Sequence, residues 1–451
     1  MISLFKHSQP EKLTPTVSTP ESLPILRIAV CATADDATES FGRTIAAGLA
    51  SVDAFEVDYI DYTPTASSLY INAKNLLEFP DFVAKVSRKK SYEVTIFGHV
   101  ENNMVCLNFF TAKEFESLEV RKWRVFDCLY LPISFFEAGL NESAKNLIIG
   151  ALLLCKSPTN TEDRTLYGSL LKKTVDFLSK DEAAGNVPFG CMPYILNLLG
   201  SLYLAYFSNR MNKQSFSNIK FIFEKTLEHK MAFAQKIHLA SVYIHLGNMF
   251  AAAAKNLDAD INICTGKAIS AYRLAQGYFT QTTYPYEYAW ISYLCAETFL
   301  QKWLSAKDVE SLREAISSLQ SAKKIYTEKA YPFVYAKIEQ SLGQNLLALG
   351  AVTGSPEILN MAANAMSSAQ NIFSRNKYPA QWIELQEGIG NAYYAFGKKY
   401  RDTDFLKKAE KCLHEAIAAC EETNQTALLR KLDIELSKVS ELLYKTNKIR
   451  M

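Results

Sequence analysis

Glycine is missing between Ile28 and Gly42, the stretch that follows the first strand-like run of the chain. A phosphate-binding loop needs glycine there so that backbone N–H groups can approach the anion, and a dinucleotide or Walker-type site is therefore not expected. Histidine is scarce, six in 451 residues, and the nine cysteines (31, 106, 128, 155, 191, 264, 295, 412 and 420) form no Cys-x-x-Cys pair. His238 and His245 stand seven apart on one predicted helix, not the three or four of helix-borne metal ligands, so neither metal nor cofactor is expected. An odd, scattered set of cysteines points to a reducing compartment, with the cytoplasm as the expected location.

Charge of one sign is missing too. Lys and Arg number 49 against 47 Asp and Glu, a net charge of +2, which lacks the concentrated basic surface that nucleic acid requires. The short clusters Arg88-Lys89-Lys90 and Arg121-Lys122-Arg124 read as solvated surface. The most apolar run, Met192–Ser208, is uncharged over 17 residues but short for a membrane span, and is expected to be a buried helix. Residues 1–7 carry no long apolar stretch, so no secretory signal is expected.

What is present is a beat. Ala268/Ala275, Ala315/Ala322, Ala362/Ala369 and Ala409/Ala416 recur at an interval of 47 residues. Tyr284-Pro285, Tyr331-Pro332 and Tyr378-Pro379 keep the same interval, and proline suits a first helical turn. Asp308, Ser355 and Asp402 each precede an acidic residue two places on, the pattern of an N-cap with a favourable charge in the first turn. Each unit therefore has two helix starts. In the last full unit the first helix is predicted over about Pro379–Phe396 and the second over about Thr403–Glu421. Ala315, Ser318 and Ala322 share a stripe with Leu312, Leu319 and Ile325, and small residues on facing stripes let two helices approach closely. Ala362→Leu or Ala369→Leu is expected to overpack, while Gly350 is expected in a tolerant loop. Leu199-Gly200 and Leu246-Gly247 extend the beat backward, a degenerate unit is placed near 141–183, and residues after Thr426 read as an amphipathic capping helix.

Leu246-Gly247-Asn248-Met249-Phe250 and Ile389-Gly390-Asn391-Ala392-Tyr393-Tyr394-Ala395-Phe396-Gly397 resemble the first helix of tetratricopeptide repeats. Ala409-Glu410-Lys411-Cys412-Leu413-His414-Glu415-Ala416-Ile417 resembles the second. The usual unit has about 34 residues. These units resemble the elongated bacterial form, in which Tyr-Pro opens the unit and a pair such as Ile325-Tyr326 or Ile372-Phe373 closes the second helix. The resemblance covers about 190–425 and implies a solenoid of antiparallel helix pairs that binds other proteins; HEAT-type and armadillo-type repeats are the structural alternative.

A different domain precedes the repeats. Residues 1–23 read as a flexible leader, and 24–137 as a small α/β domain in the order β-α-β-α-β-β. Its segments are Leu26–Cys31, a helix over about Asp36–Ala50, Phe55–Ile60, a helix over Phe79–Lys89, then Tyr92–Val100 and Met104–Ala112 joined by a turn at Glu101-Asn102-Asn103. This order, with the Phe97-Gly98-His99-Val100 hairpin, resembles the α/β module that precedes the propeller in bacterial Tol-system translocation proteins, which implies binding or assembly. Asp35 or Asp36 is expected to cap the helix that follows. Cys31 and His99 could be set beside each other as a nucleophile and its base, but nothing gives that cysteine the positive, exposed setting a thiolate needs.

The expected fold is thus an α+β front domain, a tetratricopeptide-like all-α solenoid over 138–426 (clearest over 240–425) and a capping helix over 427–451. The expected function is non-catalytic: a scaffold that takes a partner's peptide or helix in its concave groove, with self-association as a further option and neither nucleic acid nor a membrane span involved. Candidate groove residues are the polar first-helix positions off the packing stripe, Asn248, Glu297, Gln344, Asn345 and Asn391; the same positions could instead serve hydrogen bonds within the array. The alternative function is a regulator whose front domain senses a small ligand or nucleotide and relays it through the repeats.

Overall fold

The computed structural model describes residues 26–34, 36, 40–61, 92–111, 124, 126–155, 161–178, 187–207, 211–257, 260–423 and 425–450. The leader and the Phe79–Lys89 segment lie outside these residues. The described residues hold a five-stranded sheet and fourteen α-helices, the later ones packed as successive pairs. The chain divides into two compact units. The first takes in the described residues up to 257 together with Arg273–Tyr284; the second takes in 260–272 and Pro285 onward.

The sheet of the first unit has the order β2-β1-β3-β4-β5, with β1 Leu26–Cys31, β2 Phe55–Ile60, β3 Val94–Glu101, β4 Met104–Thr111 and β5 Cys128–Pro132. β1 runs parallel to β2 and β3, while β3, β4 and β5 are antiparallel. In β1 only Arg27 is exposed, as befits a central strand covered on both faces. Helix α1, Phe41–Ala50, packs beside β1 and β2, and Asp36 takes the Phe41 N–H at 2.8 Å. Asn102 and Asn103 close the β3–β4 hairpin at φ 48° and 61°, the left-handed pair that a tight two-residue turn demands. β5 was not expected. Its five residues, Cys-Leu-Tyr-Leu-Pro, are all buried and show no alternation, so no period marks them as a strand. Arg124, expected on the surface, is 4% exposed and donates its N–H to Asp127 Oδ2 at 2.8 Å.

The same unit contains α2 Glu142–Cys155, α3 Thr161–Leu178, α4 Met192–Phe207, α5 Lys213–Glu228 and α6 Lys236–Asn256. α2 lies against β4, and α4 lies against β5, α2, α3 and α5. Packing on several sides explains why α4 carries no charge. Among the described residues α6 is one helix long and apolar enough to cross a membrane, but two-thirds of its apolar window is buried inside the protein.

Helix α7, Ile261–Gln276, crosses the division between the units. The second unit continues with α8 Pro285–Ala306, α9 Val309–Lys323, α10 Pro332–Thr353, α11 Pro356–Gln370, α12 Pro379–Tyr400, α13 Thr403–Glu422 and α14 Thr426–Arg450. All eight alanines of the beat, on α7, α9, α11 and α13, are 0% exposed. Asp308 takes the Glu310 N–H, Ser355 the Ile358 N–H, and Asp402 those of Asp404 and Phe405. Lys307, Gly354 and Arg401, again 47 apart, stand in left-handed conformation at the turn between the two helices of a pair. Gly350 corrects an expectation: it is in α10, not a loop, and a Cβ there would lie 2.8 Å from Leu359 Cδ2 and 3.1 Å from its backbone nitrogen.

Aromatic triangles close the units. Tyr286, Tyr326 and Tyr331 have ring centroids 5.4–5.9 Å apart, and Phe333, Phe373 and Tyr378 repeat them at 5.3–5.7 Å. A third triangle belongs to the first unit, where Phe279 and Tyr284 occupy the corresponding places and Phe126, from the segment entering β5, completes it at 5.1–5.5 Å.

Candidate functional site

The first helices of the second unit, α8, α10 and α12, together with α14, form a row joined by side-chain bonds at a constant separation. Ser341 Oγ donates to Glu297 Oε1 at 3.0 Å, Gln340 Nε2 to Glu384 Oε2 at 2.7 Å, and Asn391 Nδ2 to Glu435 Oε2 at 3.3 Å. Lys431 pairs with Glu387. Each pair is 44 residues apart, one repeat less about one helical turn. α14 therefore takes the place of a further first helix in this row. The ties themselves hold four carboxylates and the Lys431 ammonium group, and Lys438 also acts on Glu435. Burial, and then the neighbouring Glu387 carboxylate, raise the Glu435 carboxyl above its ordinary range. Burial, and then Glu297 beside it, push the Tyr293 hydroxyl up.

The five residues expected in a groove fall in different settings. Gln344 is exposed on α10. Glu297 and Asn391 are half-buried and belong to the ties between helices. Asn345 is 0% exposed and donates to the Ser341 carbonyl at 2.9 Å, so it shares Ser341 with Glu297 without reaching the surface. Asn248 lies half-buried on α6 in the first unit and does not join the row. Gln340, Ser341, Glu384, Glu387, Lys431 and Glu435 were not anticipated. Their signal is a polar or oppositely charged pair 44 residues apart on successive first helices, which a search confined to the 47-residue period passes over.

The first unit holds a second polar cluster, where α4 and α6 meet the sheet. Asp127 Oδ1 accepts from His245 Nε2 at 2.9 Å and from Asn197 Nδ2 at 3.5 Å. Tyr194 Oη lies 3.0 Å from His238 Nδ1, once more 44 residues apart. Tyr130 Oη donates to Glu101 Oε1 at 2.5 Å. A small cavity with room for a water-sized guest is lined by His99, Cys106, Asn108, Phe126, Tyr130, Gln235, Ile237 and His238. Small-molecule sites are ordinarily clefts of about 300–1,000 Å³. Cys31 is 1% exposed, and burial pushes its thiol up to about 12, which keeps it a thiol and not a nucleophile. Among the described residues no group of three or more His, Cys, Asp or Glu is placed to hold a metal ion.

Comparison with the models of known protein families and with curated proteins finds no match to this chain.

Proposed function

We propose that the chain is a non-catalytic scaffold of the tetratricopeptide-like kind, which holds a partner protein on the face built by its successive first helices. The observation that carries this reading is the row of ties at 44 residues, which joins α8, α10, α12 and α14 side by side. Gln344 is exposed beside these ties, and Glu384, the acceptor of the Gln340 tie, is exposed as well. The surplus of carboxylates selects a partner segment, extended or helical, that carries Lys or Arg. In the same reading the sheet unit is a second docking or assembly module, and the scattered cysteines fit work in a reducing compartment such as the cytoplasm.

The test is affinity capture from the native cell with the full chain and with Gln344→Lys. That position is exposed and outside the ties, so the fold should survive and the main partner should be lost. Capture of the same partner at undiminished yield would contradict the reading. Partner loss only on addition of a nucleotide or metabolite would favour the ligand-sensing regulator instead.

A further inference from the structure

His238 and His245, set two turns apart on one helix, found no metal role, yet both side chains are buried in the first unit and face the sheet side of α6. The hydrogen bonds at His238 have a direction. Ala234 N–H donates to Tyr194 Oη at 2.8 Å, and the same oxygen lies 3.0 Å from His238 Nδ1. A phenol has one proton to give. Nδ1 is the acceptor within reach of that proton, and the ring is assigned as the neutral tautomer with Nδ1 unprotonated. We propose that this one-way chain, Ala234 N–H to Tyr194 O–H to His238 Nδ1, is an acid-sensitive latch that holds the entry of α6 against α4 and opens when the ring is protonated. In the imidazolium, Nδ1–H and Ala234 N–H both aim at one oxygen, and the tyrosine proton loses its acceptor inside the protein.

The groups facing the ring do not rescue the cation. From α4 comes Tyr194, from β3 His99, from β4 Cys106 and from β5 Tyr130, while Glu101 and Cys128 act on Tyr194. Asp127, in the segment entering β5, favours the cation, but its oxygens already accept from His245, Asn197 and the Arg124 N–H. Glu101 is engaged by Tyr130, and His99 disfavours the His238 cation. Burial dominates and holds His238 at about 4, below the ordinary 6.5. The open chain thus binds its proton near pH 6.5 and the latched chain only near 4, so the latch is complete above pH 6.5 and weakens as pH falls toward 4. Between pH 7 and pH 5 the closed-to-open ratio should fall about twentyfold.

Deuterium exchange on the full chain at pH 7 and pH 5, with rates corrected for the intrinsic pH dependence of exchange, tests this. Peptides covering 236–245 report on the latch, and peptides from α11 serve as the internal reference. Protection of 236–245 should drop about twentyfold relative to α11 in the wild type. In His238→Asn, whose side-chain oxygen still accepts from Tyr194 but takes up no proton, the drop should be under about threefold. His238→Gln replaces it if the shorter side chain does not fold. A wild type with no selective loss at pH 5 overturns the proposal, as does an equal loss in the folded variant.

Discussion

Ala369 has no exposed surface and sits in the cluster formed with Ala336, Met366, Phe373, Leu385 and Ile389. Ala369→Leu should therefore cost about 1–3 kcal/mol through overpacking, read by chemical denaturation of the full chain. A neutral result would mean that the helices do not approach closely there. These alanines were legible because a fixed interval and a small side chain are both properties of sequence. Gly350 was not, because its reason is a neighbour: Leu359 leaves no room for a Cβ, and glycine near a helix end reads equally well as a loop. The left-handed positions were hidden for a similar reason. Gly354 advertises one, but Lys307 and Arg401 occupy the other two without glycine.

Helix starts were the best-marked feature at the scale of elements. Tyr331 and Tyr378 are N-caps with proline following, and α12 and α13 begin at Pro379 and Thr403 as their caps indicate. Asp402 accepts two backbone N–H groups at 2.9 and 3.3 Å, so Asp402→Ala should lower stability by about 1 kcal/mol. A fall in the thermal midpoint reads this; an unchanged midpoint would show that solvent satisfies those N–H groups as well as the carboxylate does. The elements that escaped detection lack periodicity. β5 is buried throughout, and its role as an edge of the sheet depends on pairing with β4, not on any pattern of its own. The polar cluster of the first unit escaped because Asp127 and His245 are 118 residues apart. No local rule joins them.

For the whole molecule, the repeat interval and the tie interval carry different information. The 47-residue beat says that similar helix pairs recur, and the buried alanines and caps follow it. The 44-residue spacing says which residues of successive first helices touch, and so where a shared surface lies. Only the first is visible in the sequence, since the offset of about one turn is set by how neighbouring helices nest. Of the five anticipated groove residues, Glu297 and Asn391 joined the row because they happen to stand at tie positions, whereas Asn345 turned inward to the Ser341 carbonyl.

The most direct measurement on this row is a double-mutant cycle on Gln340 and Glu384, which are bonded across α10 and α12 at 2.7 Å. With Gln340→Ala, Glu384→Ala and the double variant compared by denaturation, the two losses should be non-additive by about 0.5–3 kcal/mol. Simple addition of the two losses would contradict the side-by-side packing of first helices on which the proposed surface depends.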